Sequence, residues 1–221
     1  MPPKKFTYYN QKMSEILQLK EEELNIKELY SKDNLPQEVI SELESFQKTL
    51  NTSIENSTKN VEDFLLNSNE YHASLLLTEL LKKTEKQLNM VVGNFDGRVS
   101  NIGGYANQLN ICLKKGVDAK IIFLNDNINK ESKTYKVLSE NRQAGAKVKF
   151  YMATQKTKEL IKESFEKYGG NVHFSTFDSD KYRAEIVPEK YVAFASFNAP
   201  LETKKYINIF DTLLKTSTEI K

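Results

Sequence analysis

The sequence has few of the features that mark secreted or membrane proteins. Its 221 residues contain no tryptophan and one cysteine, Cys112, so no intramolecular disulfide can form. No apolar run is long enough to cross a bilayer, because the longest ones, such as residues 119–124, have the length of a strand. The lysines at the N-terminus are not followed by an apolar segment, so no signal peptide is expected. These absences predict a cytoplasmic protein with no membrane partner.

Residues that could hold a metal or a nucleotide cofactor are also scarce. Only two histidines occur, His72 and His173, and neither stands at the spacing of a zinc site with Cys112. The apolar neighbours of Cys112 predict a buried helix thiol. The glycine-containing stretch 93–104 matches neither the dinucleotide fingerprint nor the P-loop. We therefore expect no metal site and no cofactor.

Charged residues are divided unevenly along the chain, although the net charge is only +2. Residues 1–70 contain 8 lysines and 13 acidic residues, a charge of −5, and the remainder contains 24 basic and 17 acidic residues, a charge of +7. The two parts could contact one another, or the basic part could bind a polyanion such as nucleic acid. A solvated lysine-rich surface is the simpler interpretation, and the sequence leaves all three open.

Residues 1–69 are predicted to form a helical N-terminal appendage. Apolar residues recur at near-helical spacing in two stripes, the first Met13, Ile16, Leu17, Leu24 and Leu29, and the second Val39, Ile40, Leu43, Phe46 and Leu50. The second helix is expected to start near Asn34 and Pro36, and residues 51–60 to form a loop or a frayed helix end. Such short helices need a partner, which is their own C-terminal domain, a second copy or another protein.

Residues 70–221 alternate between helix and strand patterns, which predicts one α/β domain. Helices are expected at residues 71–87, 103–115, 131–144, 155–168 and 201–215. Strands are expected at residues 90–92, 118–124, 146–151, 171–177, 182–187 and 191–197. The alternation predicts a mostly parallel mixed sheet flanked by helices, with the helical appendage in front of it.

The last two predicted strands carry the stretch in which a site is expected. Residues 180–198 read D-K-Y-R-A-E-I-V-P-E-K-Y-V-A-F-A-S-F-N, with two β-rich runs on either side of Pro188, and this pattern predicts a hairpin. Ser196 and Asn198 stand two residues apart at the end of the second run. Their side chains are therefore expected on one face.

This stretch resembles the phospholipase D-like signature, H-x-K-x4-D followed by G-S-x-N. Ser196 and Asn198 match it, whereas the His, Lys, Asp and Gly of the signature correspond to Lys181, Arg183, Pro188 and Ala195. Two earlier segments, C-L-K-K-G-V-D-A-K-I-I-F-L and Q-A-G-A-K-V-K-F, are similar to that family's helix–glycine–strand rhythm. Of the family's Asn-x-Glu pair, Asn208 keeps the Asn and Phe210 replaces the Glu. The resemblance covers about residues 70–217.

The resemblance implies a fold in which one histidine attacks phosphorus, a second protonates the leaving group, and the Lys, Ser and Asn hold the phosphate. Family members with a single motif pair as homodimers, with the site across the two-fold axis. Here no histidine stands in the motif, and neither a protonated lysine nor an arginine is a nucleophile near pH 7. The resemblance therefore implies a degenerate homodimeric member with no catalytic residues.

The same positions imply a phosphate- or anion-binding set made of Lys181, Arg183, Ser196 and Asn198. The alternative is that the two cations pair with nearby carboxylates and hold the hairpin in shape; the candidates are Asp178, Asp180 and Glu185. Loops at the carboxyl ends of parallel strands tend to line a ligand crevice. The rim candidates are Asp96, Arg98, Asn101 and His173.

These patterns favour a non-catalytic binding, assembly or regulatory component. It is expected to form a homodimer, to contact a protein partner through its N-terminal helices, and to bind nucleic acid or a phosphorylated ligand. One alternative is a divergent phosphodiesterase or nuclease whose rearranged site uses His173. Another is an unrelated α/β adaptor with an accidental resemblance.

Overall fold

The computed structural model of the protein describes residues 25–31 and 33–221. The predicted apolar positions Met13, Ile16, Leu17 and Leu24 lie outside these residues. The α-helices are α1 (Ile26–Leu29), α2 (Gln37–Thr58), α3 (Glu70–Lys82), α4 (Tyr105–Lys114), α5 (Lys133–Gln143), α6 (Gln155–Ser164) and α7 (Pro200–Thr216). Short 3-10 helices cover Arg98–Ser100, Glu166–Tyr168 and Pro188–Lys190.

Eight strands form one sheet in the order β1-β7-β6-β5-β2-β3-β4-β8. The strands are β1 (Leu65–Asn67), β2 (Gln87–Val92), β3 (Asp118–Phe123), β4 (Val148–Met152), β5 (His173–Phe177), β6 (Lys181–Val187), β7 (Val192–Ser196) and β8 (Thr218–Ile220). The predicted mixed sheet flanked by helices is confirmed, and β6 and β7 form the predicted hairpin.

The expectation of mainly parallel connections is wrong. Among the described residues the β2–β3 and β3–β4 pairs are parallel, and the other five pairings are antiparallel. For the β5–β6 and β6–β7 pairings the physical reason is connection length. The links from β5 to β6 and from β6 to β7 are a few residues long, and parallel neighbours need a crossover of about a dozen residues or more.

Polar side chains fix the starts of several helices. Asn69 accepts a hydrogen bond from the backbone N–H of His72 at 2.8 Å and so caps α3. Thr154 and Thr157 bond each other's backbone in a capping box at the start of α6. The predicted cap at the start of α2 is not used, because Pro36 occupies the cap position and offers no side-chain hydrogen bond. Helix α2 also continues through most of the predicted loop 51–60.

The two faces of the sheet carry separate apolar cores. Helices α2 to α5 cover the face that includes Leu88, Ile121 and Phe123. Helices α6 and α7 cover the opposite face, which includes Ile122 and Phe174. Because strand side chains alternate, every residue of a central strand faces one of these cores.

Helix α2 packs against α3 of the same chain. Leu43 and Leu50 are fully buried in the core that α3 also lines. Phe46 stacks on His72 with ring centroids 4.0 Å apart and an interplanar angle of 12°. The carboxylate of Glu42 lies 3.0 Å from His72 Nε2. Of the three partners that the sequence left open for this helix, the structure supplies its own C-terminal domain.

The division between an appendage at 1–69 and a domain at 70–221 stays a prediction. Strand β1 lies before residue 70 and pairs with β7, so the sheet crosses that boundary. Neither β1 nor β8 was predicted, since three residues are too few to show an alternating pattern. No helix in the described part of the chain is both long enough and apolar enough to span a bilayer.

Candidate functional site

Strand β6 carries a row of buried charges. Lys181, Arg183 and Glu185 alternate with Tyr182 and Ala184, so the three charged side chains share one face of the sheet. All three are buried, on the face that α3 and α4 cover. We call them the charged ladder.

Arg183 is neutralised within the chain. The residue is 7% exposed. Its Nη2 lies 2.8 Å from Glu185 Oε1, and its Nε donates to Asn67 Oδ1 at 3.1 Å. The second carboxylate oxygen, Glu185 Oε2, lies 3.2 Å from His173 Nδ1. Because the amide of Asn67 also donates to the carbonyl of Tyr191, the network joins β1, β5, β6 and the residue before β7.

The charges in this network shift the titration of their neighbours. Burial alone would raise the pKa of Glu185, but the Arg183 guanidinium and a hydrogen bond from His173 hold that pKa below its ordinary value. Burial raises the pKa of the Tyr105 phenol on α4, and the Arg183 charge opposes this rise. Glu185 is therefore ionised near neutral pH and balances the buried guanidinium.

Lys181 is neutralised at the turn between β5 and β6. Its ammonium lies 2.6 Å from Asp180 Oδ1 and 3.3 Å from Asp178 Oδ2. Asp178 has a positive φ of 54° and accepts hydrogen bonds from three successive backbone N–H groups, those of residues 85, 86 and 87. Burial alone would raise the pKa of Asp178, but these N–H groups and Lys181 lower it. The Asp178 carboxylate thus occupies the kind of N–H cluster that could bind an external anion.

The four residues of the predicted anion-binding set do not converge. Ser196 lies directly across from Tyr182 on the neighbouring strand, so it projects to the face opposite Lys181 and Arg183. Its hydroxyl accepts a hydrogen bond from the backbone N–H of Asn198 at 3.1 Å. The pairing of Lys181 and Arg183 with nearby carboxylates is the arrangement that the structure shows. Their role in anion binding stays a prediction, and an anion would first have to displace those carboxylates.

Lys181 and Asn198 do meet at a groove of about 260 Å³. The end of α2 forms one wall, through Ser57 and Thr58, and Asp180 lies beside Lys181. The groove opens at the edge where β6 starts and β7 ends. Two of the four predicted residues are therefore brought together there.

The predicted rim residues lie at the other edge of the sheet, because the loop 93–104 follows the carboxyl end of β2. Arg98 bonds Glu70 at 2.8 Å and the Tyr71 hydroxyl at 2.9 Å. Asp96 accepts a hydrogen bond from Asn94, and Asn101 accepts one from the backbone N–H of residue 133 at 3.0 Å. Of the four rim candidates, His173 is the one that contacts the charged ladder, through Glu185.

Gly93 adjoins the His173 ring without a steric need for glycine. A Cβ at position 93 would lie 3.4 Å from His173 Cε1 and 3.5 Å from its Nε2. Among residues 25–31 and 33–221, no group of three His, Cys, Asp or Glu side chains could hold a metal ion. What this region offers chemically is one imidazole whose Nδ1 is engaged by a carboxylate.

No family model matches the chain, and no curated protein matches it. Solved structures do. Nuc, a phospholipase D family member from Salmonella typhimurium, is 10% identical with a TM-score of 0.51, covering 72% of this chain and 99% of Nuc. NucT from Helicobacter pylori is 13% identical with a TM-score of 0.51, covering 72% of this chain and 99% of NucT.

The chain has the phospholipase D-like fold. At these identities the likeness concerns the fold alone, and the degenerate motif is not part of it. The expected phospholipase D-like architecture is confirmed.

A third similar structure extends the likeness beyond the α/β part. TrmBL2, described as an archaeal chromatin protein with a novel mode of DNA binding, is 11% identical with a TM-score of 0.51, and the match covers 83% of this chain and 66% of TrmBL2. That share of 221 residues is about 183, whereas the part from β1 to the C-terminus has 157. Some of the match must therefore lie before β1, where α2 is the main element.

Sequence reasoning missed Asn67, which accepts a hydrogen bond from Arg183, and Tyr105, whose pKa the Arg183 charge affects. Asn67 lies in a three-residue strand that shows no periodicity, and Tyr105 stands at the first position of a helix. The role of Asp178 in holding the start of β2 was also missed. Its only signal is an acidic residue at a tight turn, which is common at turns for local reasons.

Arg183→Met tests whether the charged ladder is structural. Removing one partner of a buried pair leaves an uncompensated charge, so the free energy of unfolding should fall by about 3–5 kcal/mol. The double variant Arg183→Met/Glu185→Leu should lose less than the sum of the single changes. The control is Arg98→Met, whose ion pair with Glu70 is exposed and should contribute about 0–1 kcal/mol. Equal losses in chemical denaturation for Arg183→Met and Arg98→Met would contradict a structural ladder.

The pH dependence of unfolding in Asp178→Asn tests whether the carboxylate stabilises the fold through the three backbone N–H groups. The folded pKa of Asp178 is depressed, so its contribution is complete above the unfolded value of about 3.9 and is lost as pH falls through the folded value. The variant should lose about 1.5–3 kcal/mol of unfolding free energy at neutral pH. The difference in unfolding free energy between the variant and the wild type should shrink as pH falls. Asp180→Asn serves as the control, and a gap that stays constant with pH would refute the assignment.

Proposed function

We propose that this protein is a non-catalytic component with the phospholipase D-like fold, which forms a homodimer and binds nucleic acid or a phosphorylated ligand. The observation that carries the proposal is the saturation of Arg183. A guanidinium that holds a substrate phosphate must be open to it, whereas this one is buried and bonded to Glu185 and Asn67. Arg183 therefore serves as one half of a structural ion pair.

The residues at the other motif positions support the same conclusion. Lys181 occupies the position of the attacking histidine and is bound by two aspartates. Pro188 has no carboxylate to contribute. A nucleophile with a free lone pair near neutral pH is absent from these three positions.

A second candidate, a divergent phosphodiesterase, is favoured by one observation. His173 has its Nδ1 beside the Glu185 carboxylate, and its side chain is 26% exposed. A carboxylate that engages Nδ1 orients an imidazole and leaves Nε2 for a substrate. This candidate requires His173 alone to replace a site that uses two histidines in the family.

Hydrolysis of a chromogenic phosphodiester and of plasmid DNA separates the two candidates. We expect no product above the blank from the wild type or from His173→Ala, because no side chain in the motif can attack phosphorus. Turnover by the wild type that disappears in His173→Ala would replace the first candidate with the second. Turnover that survives in His173→Ala would contradict both.

The homodimer requires a self-complementary surface, and we propose the β1 edge for it. Strand β1 ends the sheet, so its outer backbone groups face away from β7. Leu66 and Phe194 stand directly across from each other on one face, and both are exposed; Phe64, which precedes β1, is 57% exposed. A second copy can pair antiparallel with this edge about a two-fold axis and cover the apolar side chains.

Phe64→Asp should therefore weaken self-association, because it places a charge in the surface that the second copy would cover. Sedimentation velocity should show a shift from dimer to monomer. Ile111→Asp is the matched control, since Ile111 is exposed on α4, on the other side of the sheet. A wild-type monomer, or equal effects of the two substitutions, would count against the β1 interface.

A further inference from the structure

Three helix-to-strand connections lie side by side at the end of the sheet where strands β2, β3 and β4 begin. We call this end an edge, although it is not an outer strand. Helices α3, α4 and α5 each lead into the next strand, and those strands, β2, β3 and β4, are parallel neighbours. The connections contact one another through the backbone. The N–H of Asp118 donates to the carbonyl of Lys86 at 2.9 Å, and that of Ala119 donates to the carbonyl of Lys147 at 2.8 Å.

This edge is strongly basic. Counted from the last residue of each helix to the first residue of the next strand, the connections are 82–87, 114–118 and 143–148. They contain six lysines and two acidic residues, Glu85 and Asp118. The matching strand-to-helix connections at the opposite edge are 92–105, 123–133 and 152–155, and they contain three basic and three acidic residues. The connections of β2, β3 and β4 are therefore basic where these strands begin and neutral where they end.

Four of the six lysines of these connections project into solvent, whereas Lys82 is half-buried and pairs with Glu79. Lys86, Lys114, Lys115 and Lys147 are exposed, as is Lys149 at the start of β4. Within the described residues none of these five forms an ion pair. The helix dipole favours a cation in the last turn, which accounts for Lys114 but not for Lys86 or Lys147, which lie beyond a helix.

We infer that this row, which we call the basic edge, binds the phosphate backbone of double-stranded nucleic acid without reading its sequence. A lysine ammonium is a point charge that suits phosphate and carries little base information. The connections 82–87, 114–118 and 143–148 contain no aromatic residue. The edge thus has no platform on which unpaired bases could stack and no aromatic anchor for a membrane interface.

The inference rests on the binding role proposed above and assigns that role to the basic edge. The basic edge begins beside the β5–β6 turn, where Asp178 bonds the backbone of residues 85–87. It adjoins the groove at Lys181 and lies opposite His173. Binding there requires no displacement of the internal ion pairs of the charged ladder.

Binding of a labelled DNA duplex of about 30 base pairs, followed by anisotropy between about 50 and 200 mM salt, tests the inference. The variant is Lys86→Gln/Lys115→Gln/Lys147→Gln. Each lost phosphate contact should lower the slope of log K against log salt by about one. The triple variant should bind at least about tenfold more weakly at 100 mM salt. The control, Lys130→Gln/Lys156→Gln/Lys158→Gln, removes the same charge from exposed lysines at the opposite edge and should bind within about twofold of the wild type.

The outcomes separate this inference from the proposed function. An unchanged slope in the edge variant, or equal losses in variant and control, would overturn the basic edge alone. No binding by the wild type at the lowest salt would overturn both the edge and nucleic acid as a ligand. Tighter binding to phosphatidylserine vesicles than to the duplex, with the same loss in the variant, would overturn nucleic acid as the occupant in favour of an anionic membrane. Cleavage of the duplex would refute the non-catalytic proposal and leave the edge in place.

Discussion

A guanidinium enclosed between a sheet and its covering helices needs a carboxylate, and strand β6 supplies one two residues away. Arg183 and Glu185 face the same core because strand side chains alternate. Each then recruits a polar group from a neighbouring strand, Asn67 on β1 and His173 on β5. The pair also helps to hold β1, which is only three residues long and is joined to Arg183 through Asn67.

Because of the same pair, this protein has the fold but no open cation at the Arg183 position of the signature. The phospholipase D-like fold brings a hairpin with Ser196 and Asn198 to one end of the sheet, yet the charges at the remaining motif positions are satisfied internally. A buried ion pair is not a strong source of stability by itself, because desolvation offsets much of the attraction. Its effect here is to define which side chains face the core.

Much of the fold could be predicted from the sequence, because long elements with strong patterns dominate it. The glycines that end α4 and α5 and the apolar run of β3 placed those elements within a few residues. The direction of the later strands could not be read from alternation alone, because the short links after β5 and β6 decide it. Leu65–Asn67 and Thr218–Ile220 gave no pattern, since their pairing depends on β7 and β4 rather than on local preference.

The site was harder to predict than the fold. The motif positions Lys181 and Arg183 were found by comparison with a signature, and their carboxylate partners lie within three residues of them, where the sequence allowed either an ion pair or a ligand set. Spacing alone cannot show whether a cation faces a ligand or a carboxylate of its own chain. Asn67, which is 116 residues from Arg183, could be assigned only from the three-dimensional structure.

The carboxylate of Asp178 also constrains how the chain folds. It accepts hydrogen bonds from the backbone N–H groups of residues 85–87, although it lies in a turn more than 90 residues later in the chain. Closing so long a loop costs conformational entropy before the contact returns any stability. During synthesis β3 can pair with the start of β2 first, since Gln87 lies across from Asp118. The N–H groups of residues 85–87 gain their carboxylate acceptor only later, once residue 178 has been made.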